Sequence, residues 1–198
     1  VAHFGPYNFD NTNPTATVSI TARTSKTLTA QISNVNDVGS GMPTTRTYNY
    51  FIKKASASTY PTTASYSGPN TSYQFTNLDH NTSYTVRVTF TDNASNPGSA
   101  TATQSTVQVP ALNSSNTTFK LSETKITNKN ITVTISTTVS GYTLQYRIGT
   151  GAWTNYTSPV TISSNTTVYA RLWDQRNSTS NVGTSTSKPI TNIDKTLS

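Results

Sequence analysis

The chain has 198 residues, enough for one large domain or for two domains of about 100 residues. Charged residues make up only 11%, whereas aromatic residues reach 10% and the segments between them are rich in Thr, Ser and Asn. Disorder is excluded, because disordered chains lack aromatic and β-branched residues. The net charge of +7 comes from 14 scattered bases and only 7 acids, which does not support a nucleic-acid-binding patch.

The composition also restricts the compartment and the chemistry. The chain has no cysteine, so it has neither a disulfide framework nor a thiolate metal site. No run of about 18 apolar residues occurs, so we expect no insertion into a membrane. A cysteine-free β-protein fits a bacterial or viral surface protein better than a secreted animal domain, which is commonly disulfide-bonded.

Alternation of apolar and polar residues predicts short β-strands along the whole chain. No helical periodicity competes with it, so we predict an all-β fold of two tandem antiparallel β-sandwiches, each with six or seven strands. The predicted strands of the first half are 16–20, 26–35, 47–52, 72–78, 83–90 and 100–109, and those of the second half are 118–121, 130–137, 142–148, 158–163, 166–173 and 184–190.

Internal similarity indicates a tandem of related modules. Residues 81–98 and 165–183 both run from a polar turn through a strand with a central Arg to an Asp, and then to a polar loop that ends on Gly. The phrase NFDNTNP at 8–14 also returns as NIDKTLS at 192–198, which places the two copies 184 residues apart, or two periods of 92. The phrase therefore behaves as a module boundary.

These observations predict four segments in chain order. Residues 1–13 are the end of a preceding module or a linker, and residues 14–109 form the first sandwich. Residues 110–191 form the second sandwich, and residues 192–198 begin the next linker or module. We therefore expect a fragment of a longer array that behaves as a monomer and whose partners are neighbouring modules of the same polypeptide.

The first predicted sandwich contains FTNLDHNTSYTVRV at 75–88, in which Leu78 precedes Tyr84 by six residues. This passage resembles fibronectin type III domains, where such a pair forms a tyrosine corner. The resemblance implies that the Tyr84 hydroxyl bonds to the backbone and that Leu78 and Tyr84 stabilise the module.

The second predicted sandwich contains a Tyr-rich strand, a Gly turn, a Trp and Tyr pair, and a Val-x-Ala-Arg-x-x-Asp strand. The residues of this pattern are Tyr146, Gly151, Trp153, Tyr156, Val168, Ala170, Arg171 and Asp174. The pattern resembles the Ig-like repeats of bacterial surface proteins and of secreted glycoside hydrolases. The resemblance implies an extracellular array with no activity of its own, in which Trp153 and Tyr169 pack the sandwich.

No catalytic motif is present, so we predict that the chain is not an enzyme and has no catalytic residue. Asp79 and His80 are adjacent in a predicted turn, where their side chains point apart. The acids fall mostly in predicted turns and at module ends rather than as a pair facing across a cleft.

Two binding hypotheses remain. Oxygen-rich segments between sandwich modules can hold Ca²⁺, so bound calcium is the alternative to a chain without a cofactor. One candidate group is Asp10, Asn11 and Asn13, and a second, separate group contains Asp92 with Asn93 and Asn96. Exposed aromatic rings can stack on sugars, and the candidates for glycan binding are Tyr60, Tyr66, Trp153 and Tyr156.

The sequence thus predicts non-enzymatic spacer or stalk modules of a larger extracellular protein at a cell surface or cell wall, presenting a distal functional domain. The alternative is an adhesive or carbohydrate-binding accessory module of a secreted glycoside hydrolase or a phage tail protein, with a glycan or a host surface protein as partner and the phage virion as a location.

Overall fold

The computed structural model describes residues 9–176 and 181–198. It divides the chain into two compact units, Val1–Val107 and Gln108–Ser198, here called the first and second modules. The division lies two residues before the predicted limit of the first sandwich. Most of the predicted leading segment, residues 1–8, lies outside the described residues, as does the 177–180 part of the internal repeat.

The first module contains seven described strands in two antiparallel sheets. One sheet has the order β1-β2-β5 and the other has the order β4-β3-β6-β7. The strands are β1 (Thr15–Arg23), β2 (Leu28–Asn36), β3 (Tyr48–Lys54), β4 (Tyr66–Gly68), β5 (Ser72–Phe75), β6 (Ser83–Thr91) and β7 (Pro97–Ser105).

Alternate residues of the two sheets form one core between them. Strand β6 alternates half-buried and buried residues, so Val86 and Val88 face inward and Arg87 faces outward. From the other sheet, Leu28 and Ala30 of β2 are fully buried in the same cluster. Since one cluster draws on both sheets, the module is a β-sandwich.

The second module repeats this arrangement. Its sheets have the orders β12-β9-β8 and β11-β10-β13-β14, which match those of the first module strand for strand. The sequence predicted a fibronectin-III-like first module and an Ig-like second module, but the strand order is the same in both. The strands are β8 (Thr117–Leu121), β9 (Ile131–Thr137), β10 (Thr143–Ile148), β11 (Thr154–Asn155), β12 (Val160–Ile162), β13 (Thr166–Trp173) and β14 (Thr186–Ile190).

The core of the second module corrects one expectation. Val168, Ala170 and Leu172 of β13 are fully buried, so the intervening Tyr169 has the opposite phase and faces outward. Trp153 is also only half-buried and is absent from the core cluster. The structure therefore contradicts the expectation that Trp153 and Tyr169 pack the core of this module. The partly buried residues that pack against it are Phe119, Leu121, Val139, Tyr142, Leu144, Tyr146 and Tyr156.

In the first module the chain enters at one end and leaves at the other. At the entry end, Pro14 precedes β1 and its carbonyl oxygen lies 2.7 Å from the position that a Cβ on Gly98 would take. At the exit end, Val107 N–H donates to the Thr24 carbonyl at 2.9 Å. Strands β1 and β7 therefore start at the same end and finish at the same end.

The second module has the same path. The Pro110 carbonyl lies against Gly183 at the entry end, so closely that a Cβ there would overlap it. At the exit end, Thr127 N–H donates to the Asn192 carbonyl at 2.9 Å, and Thr127 and Ile193 form a parallel bridge.

The predicted fold class, an all-β tandem of antiparallel β-sandwiches, is confirmed for the described residues. Two short edge strands, β4 and β11, were not predicted because they have only three and two residues. Over the same residues, no helix has the length and apolar character that crossing a membrane requires.

Candidate functional site

Three acidic side chains converge at the entry end of the first module. Asp10 belongs to the segment before β1, Asp37 follows β2 directly, and Asp92 follows β6 directly. One carboxylate oxygen from each lies within 4.8 Å of the others. The topology explains the meeting, because the start of β1 and the ends of β2 and β6 lie at the same end of an antiparallel sandwich.

Asp92 is the buried member of the cluster, with 3% of its surface exposed. Its Oδ1 accepts a hydrogen bond from the Asn96 backbone N–H, and its Oδ2 accepts one from Asn96 Nδ2, both at 2.8 Å. The Asn96 amide also donates to the Asp10 carbonyl at 2.9 Å. Asn96 therefore holds the β6–β7 turn and the entry segment together.

Asp10 is held by backbone donors on two segments. Its Oδ2 accepts from Ser40 N–H at 2.7 Å, and its Oδ1 accepts from Thr12 N–H at 2.9 Å. The Ser40 bonds, followed by the Thr12 bonds, hold the pKa of Asp10 well below its usual range. Gly39 leaves room for this arrangement, because a Cβ at that position would displace the Asp10 carboxylate.

Asp37 has one satisfied and one unsatisfied oxygen. Its Oδ2 accepts from Gly41 N–H at 2.8 Å across a tight loop in which Gly41 has a φ of 77°. Its Oδ1 is buried and has no hydrogen-bond partner. Among the described residues, no lysine or arginine forms an ion pair with any of the three carboxylates.

Carboxylate oxygens are the ligands that hard divalent cations prefer, so the cluster is a candidate cation site. The sequence predicted Asp10 and Asp92 as members of two separate oxygen groups, and the structure joins them. Asp37 was missed, because nothing local marks a single turn acid as a ligand. Asn11 and Asn13 are exposed, and Asn13 lines a neighbouring groove.

The aromatic residues proposed for glycan binding have intramolecular contacts. In the first module, the Arg87 guanidinium lies 4.8 Å from the Phe51 ring centroid and 4.2 Å from that of Tyr60. The Lys53 ammonium lies 5.2 Å from the same Tyr60 ring. These are cation–π contacts, and burial raises the pKa of Tyr60 although Arg87 opposes the shift.

The second module carries a similar stack on the outer face of its four-stranded sheet. Arg171 lies 4.2 Å from the Trp153 ring centroid, and Arg147 lies 4.8 Å from the centroids of both Trp153 and Tyr169. Burial lowers the pKa of Arg171, and the nearby Arg147 lowers it further. The Arg171 Nε also donates to Gln145 at 3.0 Å, which fixes the guanidinium over the indole.

The other two glycan candidates pack into the modules. Tyr66 stacks on Tyr73 with a centroid separation of 5.2 Å, and its hydroxyl accepts from Asn70 N–H at 3.2 Å. Tyr156 contacts the Tyr146 ring edge-on, and its hydroxyl accepts from Ile135 N–H at 3.0 Å. Glycan binding by the four candidate rings stays a prediction.

Tyr84 has the geometry of a tyrosine corner. Its hydroxyl accepts a hydrogen bond from the Asp79 backbone N–H at 3.0 Å, five residues upstream, while its ring is buried. Leu78 is also buried in the core of the first module.

Asp79 and His80 lie between Leu78 and strand β6. The Asp79 carboxylate pairs with Lys54 at 2.7 Å, and the His80 carbonyl accepts from the Thr82 hydroxyl at 2.8 Å.

The two copies of the boundary phrase share a local hydrogen bond. Asp10 Oδ1 accepts from Thr12 N–H, and Asp194 Oδ1 accepts from Thr196 N–H, both at 2.9 Å. The Asp-x-Thr spacing therefore encodes an Asx turn. The second copy packs on the second module, where Ile193 is buried in the core.

Fold and site define the class of protein as a tandem of antiparallel β-sandwich modules with an acidic cluster on the first. No family model matches the chain, and no curated protein matches it.

Three solved structures resemble the chain. The FN3tt domain is 23% identical and has a TM-score of 0.32 over 46% of this chain and 95% of its own. A two-domain fibronectin type III segment of chicken tenascin is 15% identical, with a TM-score of 0.38 over 90% of this chain and 99% of its own. The FN1–FN3 domains of chicken CNTN1 are 13% identical, with a TM-score of 0.36 over 90% of this chain and 66% of their own. These similarities do not bear on function.

Proposed function

We propose that the two modules are non-enzymatic spacers of a larger extracellular protein, where they hold a distal functional domain away from a cell surface or cell wall. One observation carries the proposal: in each module the chain enters at one end and leaves at the opposite end. A module of this kind adds its own length to the polypeptide that passes through it.

The length follows from the strands. In the first module, β1, β2, β6 and β7 each have nine residues. At about 3.3 Å per residue, such a strand is roughly 30 Å long. The first module is therefore about that long, and the eight-residue strand β13 gives the second module a similar length. Each module has its own core.

The boundary phrase supports this function. Ile193 of the second copy is 7% exposed and packs into the module that precedes it, whereas its counterpart Phe9 in the first copy is 83% exposed. An apolar side chain at this position is covered when a sandwich of the same kind lies before it. We propose that neighbouring modules of the same polypeptide are the partners of this chain.

Site-specific labelling can test the spacer function, because the chain has no native cysteine. Cysteines replacing Asn11 and Gln108 carry a spin-label pair that spans the first module, and a pair replacing Gln108 and Thr196 spans the second. The proposal expects the two labels of each pair to be separated by roughly the length of a module, about 30 Å. A short separation that places both labels of a pair at the same end of their module would refute it.

Glycan binding is a second candidate function, and one observation favours it. The first module has an open groove of about 550 Å³ lined by polar side chains of β3, β6 and β7, including Asn49, Thr89 and Ser99. Arg87 also lines it, and its Nε is buried without a hydrogen-bond partner. Such donors suit the hydroxyl or carboxylate groups of a polysaccharide.

A glycan array probed with the intact chain tests this candidate. Binding that is lost in Asn49→Ala and kept in Thr134→Ala, an exposed polar residue of the second module on β9, would support an accessory or adhesive role. The absence of binding above background would leave the spacer function alone. In that accessory role the flanking domains belong to a secreted glycoside hydrolase or a phage tail, and the genes beside this one distinguish them.

A further inference from the structure

We propose that Asp10, Asp37 and Asp92 bind one divalent cation, and that the ion is calcium. The three side chains come from the entry segment, the β2–β3 loop and the β6–β7 turn, and one oxygen of each lies within 4.8 Å of the others. All three residues belong to the first module, so the proposal does not depend on the spacer function.

The first argument is charge. Three carboxylates meet here, and the hydrogen bonds that Asp10 and Asp92 accept come from uncharged N–H donors of Ser40, Thr12 and Asn96. Since no described lysine or arginine pairs with the cluster, the mutual repulsion of the carboxylates has no internal counter-charge. A divalent cation supplies it.

The second argument is independent of charge. Buried polar atoms are nearly always paired, and a buried carboxylate oxygen without a partner is costly. Asp37 Oδ1 is such an atom, while the other oxygen of the same group is engaged by Gly41 N–H. Asp37 therefore has a buried oxygen without a protein donor, and its carboxylate belongs to the acidic cluster, where a cation would supply a partner.

Ligand type favours calcium over magnesium. Calcium accepts six to eight oxygen ligands in a flexible geometry and is commonly held by several carboxylates. Magnesium demands a near-ideal octahedron, gives up its water reluctantly and is usually bound through one or two carboxylates. A cluster of three carboxylates from three separate segments therefore suits calcium better.

The cation would fasten the entry segment to the module. Asp10 is already tied to Ser40 and to Asn96, and a shared ion adds Asp37 and Asp92 to the same fixed point. A depression of about 340 Å³ lined by Phe9, Asp10, Gly39 and Ser40 gives access from solvent beside the cluster. Removal of the ion is therefore expected to loosen the entry segment before the core.

Calorimetric titration of the full chain with calcium chloride tests the proposal. We expect one ion per chain with a dissociation constant of about 10⁻⁴ to 10⁻³ M and weaker binding of magnesium. Asp37→Asn keeps the shape and removes the charge, and we expect it to weaken calcium binding at least tenfold. Glu123→Gln, which removes an exposed acid of the second module, should leave the titration unchanged.

A thermal measurement separates the modules. Both tryptophans, Trp153 and Trp173, lie in the second module, so tryptophan emission reports its unfolding, whereas circular dichroism reports both modules. At a calcium concentration about tenfold above the dissociation constant, the melting temperature of the first module should rise by roughly 5–10 °C. The tryptophan transition should not move.

Three results would overturn the proposal: no heat and no thermal shift with millimolar calcium, equal binding by wild type and Asp37→Asn, or a shift confined to the tryptophan transition. If Asp37→Asn fails to fold by circular dichroism, Asp10→Asn replaces it, because Asp10 lies in the entry segment outside the core.

Discussion

The two modules have the same strand order, yet their entry ends differ. In the first module, Asp92 after β6 meets Asp10 and Asp37. In the second, Asp174 after β13 holds the equivalent position and is also buried. The segments that correspond to the other two acids, 108–116 and 138–142, contain no Asp or Glu.

This difference shows that the same β-sandwich fold forms with different side chains in its loops. Strand order follows from the alternation of the core residues, which both modules share. Loop side chains contribute little to the core, so one module can collect three carboxylates while the other keeps one. The second module therefore serves as an internal control for the first.

The largest effect is expected where the two boundary phrases differ. Ile193→Ala should destabilise the second module by about 3 kcal/mol, because it leaves a cavity in a packed core. Phe9→Ala should change the stability of the first module by less than about 0.5 kcal/mol, since Phe9 is exposed. Urea unfolding followed by tryptophan emission and by circular dichroism measures both. Equal losses of unfolding free energy in the two variants would contradict the difference between the two boundary phrases.

The entry glycines test whether the two modules are equivalent. A Cβ on Gly183 would overlap the Pro110 carbonyl, and one on Gly98 would crowd the Pro14 carbonyl and the Phe90 ring. Each change to Ala should cost about 1–3 kcal/mol in its own module, with Gly183 the more sensitive because backbone cannot move aside as a ring can. Gly151→Ala, where the nearest atom lies at 3.0 Å, is a milder comparison. A neutral Gly183→Ala would contradict the close approach.

The tyrosine corner should affect the first module alone. Tyr84→Phe removes the acceptor of the Asp79 N–H and should cost about 1–3 kcal/mol. The tryptophan transition of the second module should stay in place, and an unchanged melting temperature of the first module would contradict the assignment.

Alkaline pH should weaken the first module through Tyr50. Burial, with smaller contributions from Tyr48 and Tyr66, raises the pKa of Tyr50 from 10.0 to about 12. A group with a raised folded pKa gives stability that is complete below its unfolded pKa and is lost as pH rises through the folded one. The first module should therefore lose about 1 kcal/mol by pH 11, and Tyr50→Phe should remove this part of the pH dependence. An identical profile in the variant would refute the assignment.

Much of the fold could be read from alternation alone. Strand β6 was predicted as 83–90 and is Ser83–Thr91, and β13 was predicted as 166–173 and is Thr166–Trp173. Both are central strands, in which one face must be apolar over eight or nine residues. Edge strands β4 and β11 carry too few residues to show a period.

Side-chain direction was harder to predict than strand position. Trp153 is large and apolar, which suggested a core role, but it lies under Arg147 and Arg171 on the outer face. An indole ring is equally suited to covering a core and to stacking under a guanidinium. Only the neighbours across the sheet decide between them.

By itself, the sequence determined the class of fold, the division into two related modules and the turn encoded by Asp-x-Thr. Each of these depends on residues that are close along the chain, where periodicity and local hydrogen bonds act. The meeting of Asp10, Asp37 and Asp92 was decided only by tertiary structure, because residues up to 82 positions apart are brought together by strand order rather than by any local pattern.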